Sequence, residues 1–197
     1  MRKLVVNEFL SLDGVAQAPG GAEEDPTGGF DHGGWHMRYM EDEAAREWVL
    51  RGILDAGGYL LGRRTFEIFA GYWPNAPEEE QVIAEPLNTK PKHVASTTLS
   101  EPLGWQGSTL LEGDVAEAVA ALKREGEREL HVIGSTQLVQ TLIEHGLVDE
   151  LRLMVDPVLL GGGKRIFRDD GVLRELELVD SAVTGTGAIL ASYAPAA

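Results

Sequence analysis

The sequence predicts one α/β domain: a mixed, mainly parallel sheet with helices on both faces and antiparallel strands at its C-terminal end. Three observations predict it. Short β-rich segments alternate with stretches of helical periodicity as far as Gly146. From Leu147 onward the pattern is mostly β. No repeat and no linker interrupts the 197 residues, so a single domain over 1–197 is expected.

Residues 3–10, rich in Val, Leu and Phe, form the first strand and end in the turn Ser11-Leu12-Asp13-Gly14. Residues 13–36 carry seven glycines and two prolines, which marks a long loop. Met40, Ala44, Trp48, Val49 and Ile53 make an apolar stripe at helical spacing over 38–54. Residues 57–61 read as a short buried strand, and a short helix follows through about Ala70. The Pro- and Glu-rich segment 73–91 reads as looser chain. Residues 92–96 form a strand ending in hydroxyls. Asp114 and Glu117 have the spacing of a capping box for a helix over 115–125. A strand over 129–133 turns through Gly134-Ser135-Thr136 into a helix over 136–145, and Gly146 stands where a C′ glycine belongs. Leu151, Leu153 and Val155 alternate with Arg152 and Met154. Leu176/Leu178 and Ile189/Leu190 mark two more strands, and Thr184-Gly185-Thr186-Gly187 signals a hairpin.

Composition narrows the function classes. There is no cysteine, so disulfides, thiolate metal sites and cysteine nucleophiles are excluded, and a cytoplasmic location is expected. A net charge of −15 argues against nucleic-acid and anionic-membrane partners. No apolar run approaches the roughly 20 residues that span a bilayer, and the first residues are too short and soon too polar for a signal peptide.

With only 17 cations, the positions of the arginines carry weight. Three segments share one design: a strand ends, and Gly, Arg, Ser or Thr follow. They are Gly62-Arg63-Arg64-Thr65, Ser96-Thr97-Thr98 and Gly134-Ser135-Thr136-Gln137. Free N–H groups at a helix start, glycines permitting close approach and an arginine fork together suit phosphate oxygens. Taken singly, each also serves as a helix cap. The usual nucleotide signatures are missing. No G-x-G-x-x-G follows the first strand, and Gly161-Gly162-Gly163-Lys164 lacks the Ser or Thr of a P-loop. His32 and His36 have a metal-like spacing, but Gly33 and Gly34 between them argue against a helix, and no metal site is expected.

Ser11-Leu12-Asp13-Gly14, Gly62-Arg63-Arg64-Thr65-Phe66-Glu67 and Val132-Ile133-Gly134-Ser135, in this order, resemble dihydrofolate reductase. The run from Val148 to Phe167, with Pro157-Val158-Leu159-Leu160-Gly161-Gly162-Gly163-Lys164, is closer to a related branch. That branch is the C-terminal reductase domain of the bacterial riboflavin-biosynthesis bifunctional enzyme and its stand-alone relatives. The resemblance covers nearly the whole chain. It implies a dihydrofolate-reductase-like three-layer fold with NADPH laid across the strand ends. It also implies a reductase transferring hydride to a flat heterocycle of pteridine or pyrimidine type.

Carried over, Gly62, Arg63, Arg64 and Thr65 hold cofactor phosphates, Ser96 and Thr97 line the adenosine-phosphate side, and Gly134, Ser135 and Thr136 meet the pyrophosphate. The loop after Asp13 corresponds to a lid over nicotinamide and substrate. Asp13, Trp35, Tyr39 and Trp73 are the expected substrate contacts, with the aromatics available for stacking. The single pocket carboxylate of dihydrofolate reductase falls nearest Asp42 or Glu43, the expected catalytic residues. Two alternatives stay open. One is a riboflavin-pathway reductase of a ribosylaminopyrimidine phosphate, with Lys164 and Arg165 for that phosphate. The other is a nucleotide-binding module without catalysis. The apolar C-terminal strands are the expected surface of a homodimer.

Overall fold

The computed structural model describes residues 1–196. Its centre is an eight-stranded sheet. The strands are β1 (Leu4–Ser11), β2 (Gly58–Gly62), β3 (Lys92–Ala95), β4 (Ser108–Leu110), β5 (Leu130–Ile133), β6 (Glu150–Asp156), β7 (Leu176–Val183) and β8 (Ile189–Pro195). They lie in the order β4-β3-β2-β5-β1-β6-β8-β7. The first six in that order are parallel, β8 runs antiparallel to β6, and β7 antiparallel to β8. Five α-helices cover the sheet: α1 (Glu43–Leu54), α2 (Arg63–Tyr72), α3 (Gln81–Thr89), α4 (Val115–Arg124) and α5 (Thr136–Glu144).

Strand alternation distributes the core. On β2, Leu60 faces the layer holding Val119 of α4 and Leu138, Val139 and Leu142 of α5. Its neighbours Tyr59 and Leu61 face Ile53, Phe66 and Leu87 of α1, α2 and α3. On β1, Leu4, Val6 and Leu10 join the α4/α5 side, while Phe9 packs with Trp48 and Met154 on the other. Helix starts follow the sequence. Asp42 accepts from the Ala45 N–H at the head of α1, and Asp114 accepts from the Glu117 N–H at the head of α4. Gly146, at φ +63°, ends α5 as expected.

Two local expectations are corrected, and one strand is added. The segment 73–91 is not loose. It forms two 3₁₀ turns and then α3, with Pro86 inside the helix. Burial of Ala84, Pro86 and Leu87 outweighs the local signal. Lys92, fully buried, donates to the carbonyls of Leu87, Asn88 and Lys90 and so closes the C-terminal end of α3. β4 was invisible in the sequence: three residues on β3, with no buried position. The helix expected over 38–54 is divided, with a 3₁₀ turn at Met37–Glu41 before α1.

Residues 13–36 pack down rather than hang free. Val15, Ala16, Gln17, Ala18, Asp25 and His36 are buried. Gln17 donates to the carbonyls of Asp25 and Thr27, and accepts from the Lys164 N–H. Ser11 and Val15 close the loop's base, and Ala16 N–H bonds the Lys164 carbonyl. Gly163 is needed here, because a Cβ on it would lie 2.5 Å from Val15 Cγ1.

Candidate active site

A cleft of about 1150 Å³ opens at the carboxyl ends of the parallel strands. Strand ends collect ligands in open α/β sheets because loops and helix starts converge there. Gly62, Arg63, Arg64, Thr65, Ser96, Thr97, Gly134, Ser135 and Thr136 all line it, so three segments distant in sequence meet in one place. The junctions β2–α2 and β5–α5 are fastened together. Ser135 Oγ accepts from the Gly62 N–H at 2.8 Å and donates to Thr65 Oγ1 at 2.9 Å. Ser135 itself is left-handed, at φ +70°, and its hydroxyl does not cap α5. No helix follows Ser96; its Oγ accepts from the N–H groups of Thr98 and Leu99 in a tight turn.

The arginines differ. Arg63 is half exposed and, among the described residues, pairs with Glu67 alone, one helical turn on. Arg64 is bonded to Asp25 of the loop, and Lys164 is bonded to the same carboxylate. Burial works against the Asp25 charge, but bonds from Lys164 and Thr27 hold its pKa below the usual range.

The substrate-side expectations divide. Trp73 lines the cleft. Asp13, Trp35 and Tyr39 are not among its lining residues. Asp13 accepts from the Ser11 hydroxyl and from the N–H groups of Leu160 and Gly161, which lower its pKa to about 2; it is a staple between loops. Trp35 donates to the Gln17 carbonyl, and Tyr39 is buried beside Trp48 and Met154. Asp42 and Glu43 also lie outside the lining. Asp42 caps α1 and accepts from the Gly185 N–H at 2.7 Å, so its oxygens serve the backbone.

Other titratable groups line or border the cleft. Glu8, on β1, lines the cleft while only 6% exposed, and its Oε1 has no hydrogen-bond partner among the described residues. Burial, with Glu24 nearby, pushes its carboxyl up to about 8. Glu24, from the loop, also lines the cleft, and burial raises its pKa too. His36 stacks on Phe9 with ring centroids 3.7 Å apart, and its Nδ1 lies 2.7 Å from Asp156 Oδ2. Its Nε2 is buried and has no hydrogen-bond partner among the described residues. On β6, beside Asn7, Arg152 lies over the Trp48 ring at 4.4 Å and donates to Asn7 Oδ1. A signal for Glu8 exists in the sequence: Leu4, Val6, Glu8 and Leu10 share one face of a strand, which sets a carboxyl in an apolar row. His36, Glu24 and Asp25 had no such signal, because the loop's docking alone brings them in.

This fold, with its cleft at the strand ends, is of dihydrofolate-reductase type. The chain belongs to the family of the RibD C-terminal domain, whose model matches residues 2–190. It is 31% identical over 136 residues to the uncharacterised protein YyaP of Bacillus subtilis, covering 68% of this chain and 71% of that one. In structure it is similar to a riboflavin biosynthesis protein from Shewanella sp. PV-4, with a TM-score of 0.69, 21% identity and 99% of both chains covered. It is also similar to dihydrofolate reductase from Enterococcus faecalis, solved with NADP(H), with a TM-score of 0.58 and 17% identity over 99% of this chain and 97% of that one. Among the described residues no helix is long and apolar enough to cross a membrane.

Proposed function

We propose that this chain is an NADPH-dependent reductase that reduces a C=N or C=O bond in a flat heterocycle of pteridine or pyrimidine type. One observation carries the reading: three strand-end segments suited to phosphate line the same cleft as a buried, unpartnered carboxyl. The cofactor fits on the chemistry of these donors. Gly62 and Gly134 bring backbone close, α2 and α5 present their N-termini, and Arg63 has a guanidinium held only by an exposed pair. Bound NADPH supplies the hydride. Arg63, Thr65, Ser96 and Thr97 bind its phosphates and adenosine end, and an arginine beside hydroxyls favours the 2′-phosphate. Gly134, Ser135 and Thr136 meet the pyrophosphate. The loop over 13–36 keeps water out, and Trp73 offers a flat surface.

The experiment is a titration with NADPH followed by tryptophan fluorescence, NADH being the control. Micromolar NADPH affinity, weak NADH affinity and a loss of about 2 kcal/mol in the double variant Arg63→Ala/Arg64→Ala are expected. Wild-type protein that ignores NADPH at millimolar concentration would overturn the reading and favour a binding module without catalysis.

A riboflavin-pathway reductase of a ribosylaminopyrimidine phosphate is the second reading, favoured by the family. It needs cations for the substrate phosphate. Of the two expected, Lys164 lines the cleft but is tied to Asp25, and Arg165 is outside the lining. A cytoplasmic homodimer completes the proposal. β7 is exposed along its whole length and sets Leu178, Val179 and Val183 in solvent at the sheet edge. A second copy would cover these residues and pair the edge.

A further inference from the structure

We propose that Arg152 anchors a carboxylate of the substrate, so that the cleft takes a flat heterocycle bearing one carboxylate group. The proposal rests on the reductase reading and names its substrate class.

Four cations line the cleft: Arg63, Arg64, Arg152 and Lys164. Three of them meet carboxylates, Arg63 at Glu67 and both Arg64 and Lys164 at Asp25. Arg152 forms no ion pair among the described residues. It is half-buried, and desolvation lowers its pKa, with Arg51 adding to the shift. Glu150, Asp55 and Glu129 oppose the shift from beyond ion-pair distance. A desolvated charge without a counter-charge is costly, and a ligand anion supplies one. The position separates this anion from the cofactor's phosphates. The three phosphate-suited segments follow β2, β3 and β5, which lie to one side of β1, and Arg152 stands on β6 at the other.

The guanidinium is held in place before any ligand arrives. It lies on the Trp48 ring, and its Nη2 donates to the Trp48 carbonyl at 3.1 Å. Its Nη1 donates to Asn7 Oδ1 at 3.4 Å. Asn7 is fixed in turn: its Nδ2 donates to His131 Nδ1 at 3.1 Å, and His131 Nε2 lies 3.0 Å from Glu129 Oε2. An amide N–H only donates, so Nδ1 accepts and Nε2 carries the ring hydrogen toward Glu129. Gly52, inside α1, lets this chain pass under the helix. A Cβ on it would lie 2.7 Å from Asn7 Oδ1 and 3.1 Å from Arg152 Nη1. Two of the five guanidinium N–H donors are used, which leaves three for a ligand. The surroundings choose a carboxylate over a phosphate. Trp48, Val49, Gly52 and Ile53 line the cleft beside Arg152 and bring no second cation. The Asn7 amide hydrogens already go to His131 and the Val132 carbonyl. One guanidinium neutralises one carboxylate through a two-pronged bond. A doubly charged phosphate would keep a net charge against apolar walls.

The test uses NADPH-loaded protein and two probes that differ only in the charged group, uracil-6-carboxylate and uracil-6-carboxamide. Binding is read by calorimetry after NADPH affinity has been measured. Wild type should prefer the acid by about tenfold or more. Arg152→Met keeps the length of the side chain without its charge, and should erase the preference while leaving amide and NADPH affinities unchanged. Arg152→Lys keeps the charge but loses the fork, and should retain only part of the preference. Equal binding of the two probes by wild type, binding of neither, or an undiminished preference in Arg152→Met would overturn the proposal while leaving the reductase reading intact. Should Arg152→Met fail to fold, an undiminished preference in Arg152→Lys would overturn it equally. Failure of wild type to take NADPH would overturn the reading itself.

Discussion

His36 Nδ1 lies 2.7 Å from Asp156 Oδ2, both side chains are buried, and this pair joins the lid to the end of β6. Asp156 is desolvated, which raises its pKa, and the bond to His36 opposes the shift. Removing the imidazole leaves a buried carboxylate alone. His36→Ala is expected to cost about 3 kcal/mol and to speed hydrogen exchange across residues 15–36. Unchanged exchange there would mean that the Gln17 and Asp25 bonds hold the lid by themselves.

Glu8 gives a pH dependence of known sign. Its folded pKa, about 8, stands above the ordinary glutamate value of 4.5. Between these values the native state binds more protons than the unfolded chain, so stability is fully present below the lower value and is lost as pH rises through the higher. The loss attributable to Glu8 from pH 5 to pH 8 is on the order of 3 kcal/mol. Glu8→Gln should flatten the Tm profile over this window. A wild-type profile that rises from pH 5 to 8, and is unaltered by the substitution, would contradict the assignment.

Ser135 joins two junctions through one hydroxyl. Ser135→Ala leaves the Gly62 N–H unpaired and should cost about 1–2 kcal/mol. It should also weaken NADPH more than a substitution at exposed Thr97 does. Chemical denaturation and cofactor titration read the two effects separately.

The dimer expectation rests on β7. Val179→Lys puts a charge on the exposed edge and should convert a dimer to a monomer in sedimentation, with little loss of monomer stability, because Val179 is 59% exposed. A wild-type protein that sediments as a monomer at high concentration ends this part of the proposal.

The architecture was legible because its signals are local. Asp114–Glu117 capping, the Gly146 stop and the strand-end run Gly62-Arg63-Arg64-Thr65 depend on neighbours within a few residues. α3 was hidden because burial of Leu87 and the Lys92 cap come from contacts that proline content masks. The catalytic expectation at Asp42 illustrates the opposite case. An acidic residue before a helix has two uses, and here the backbone takes both carboxylate oxygens. Asp25 and His36 entered through the lid, whose docking depends on Gln17, Gly163 and Lys164 across more than a hundred residues of chain.

The Ser135 link has a consequence for selectivity. Because one oxygen links the Gly62 N–H, the Thr65 hydroxyl and the start of α5, the two strand-end loops keep a fixed spacing before anything binds. On the proposed NADPH reading the pair would work as a caliper: a ligand would be measured by the distance between its negative groups as much as by their charge, and a molecule with one phosphate too near or too far would gain from only one jaw.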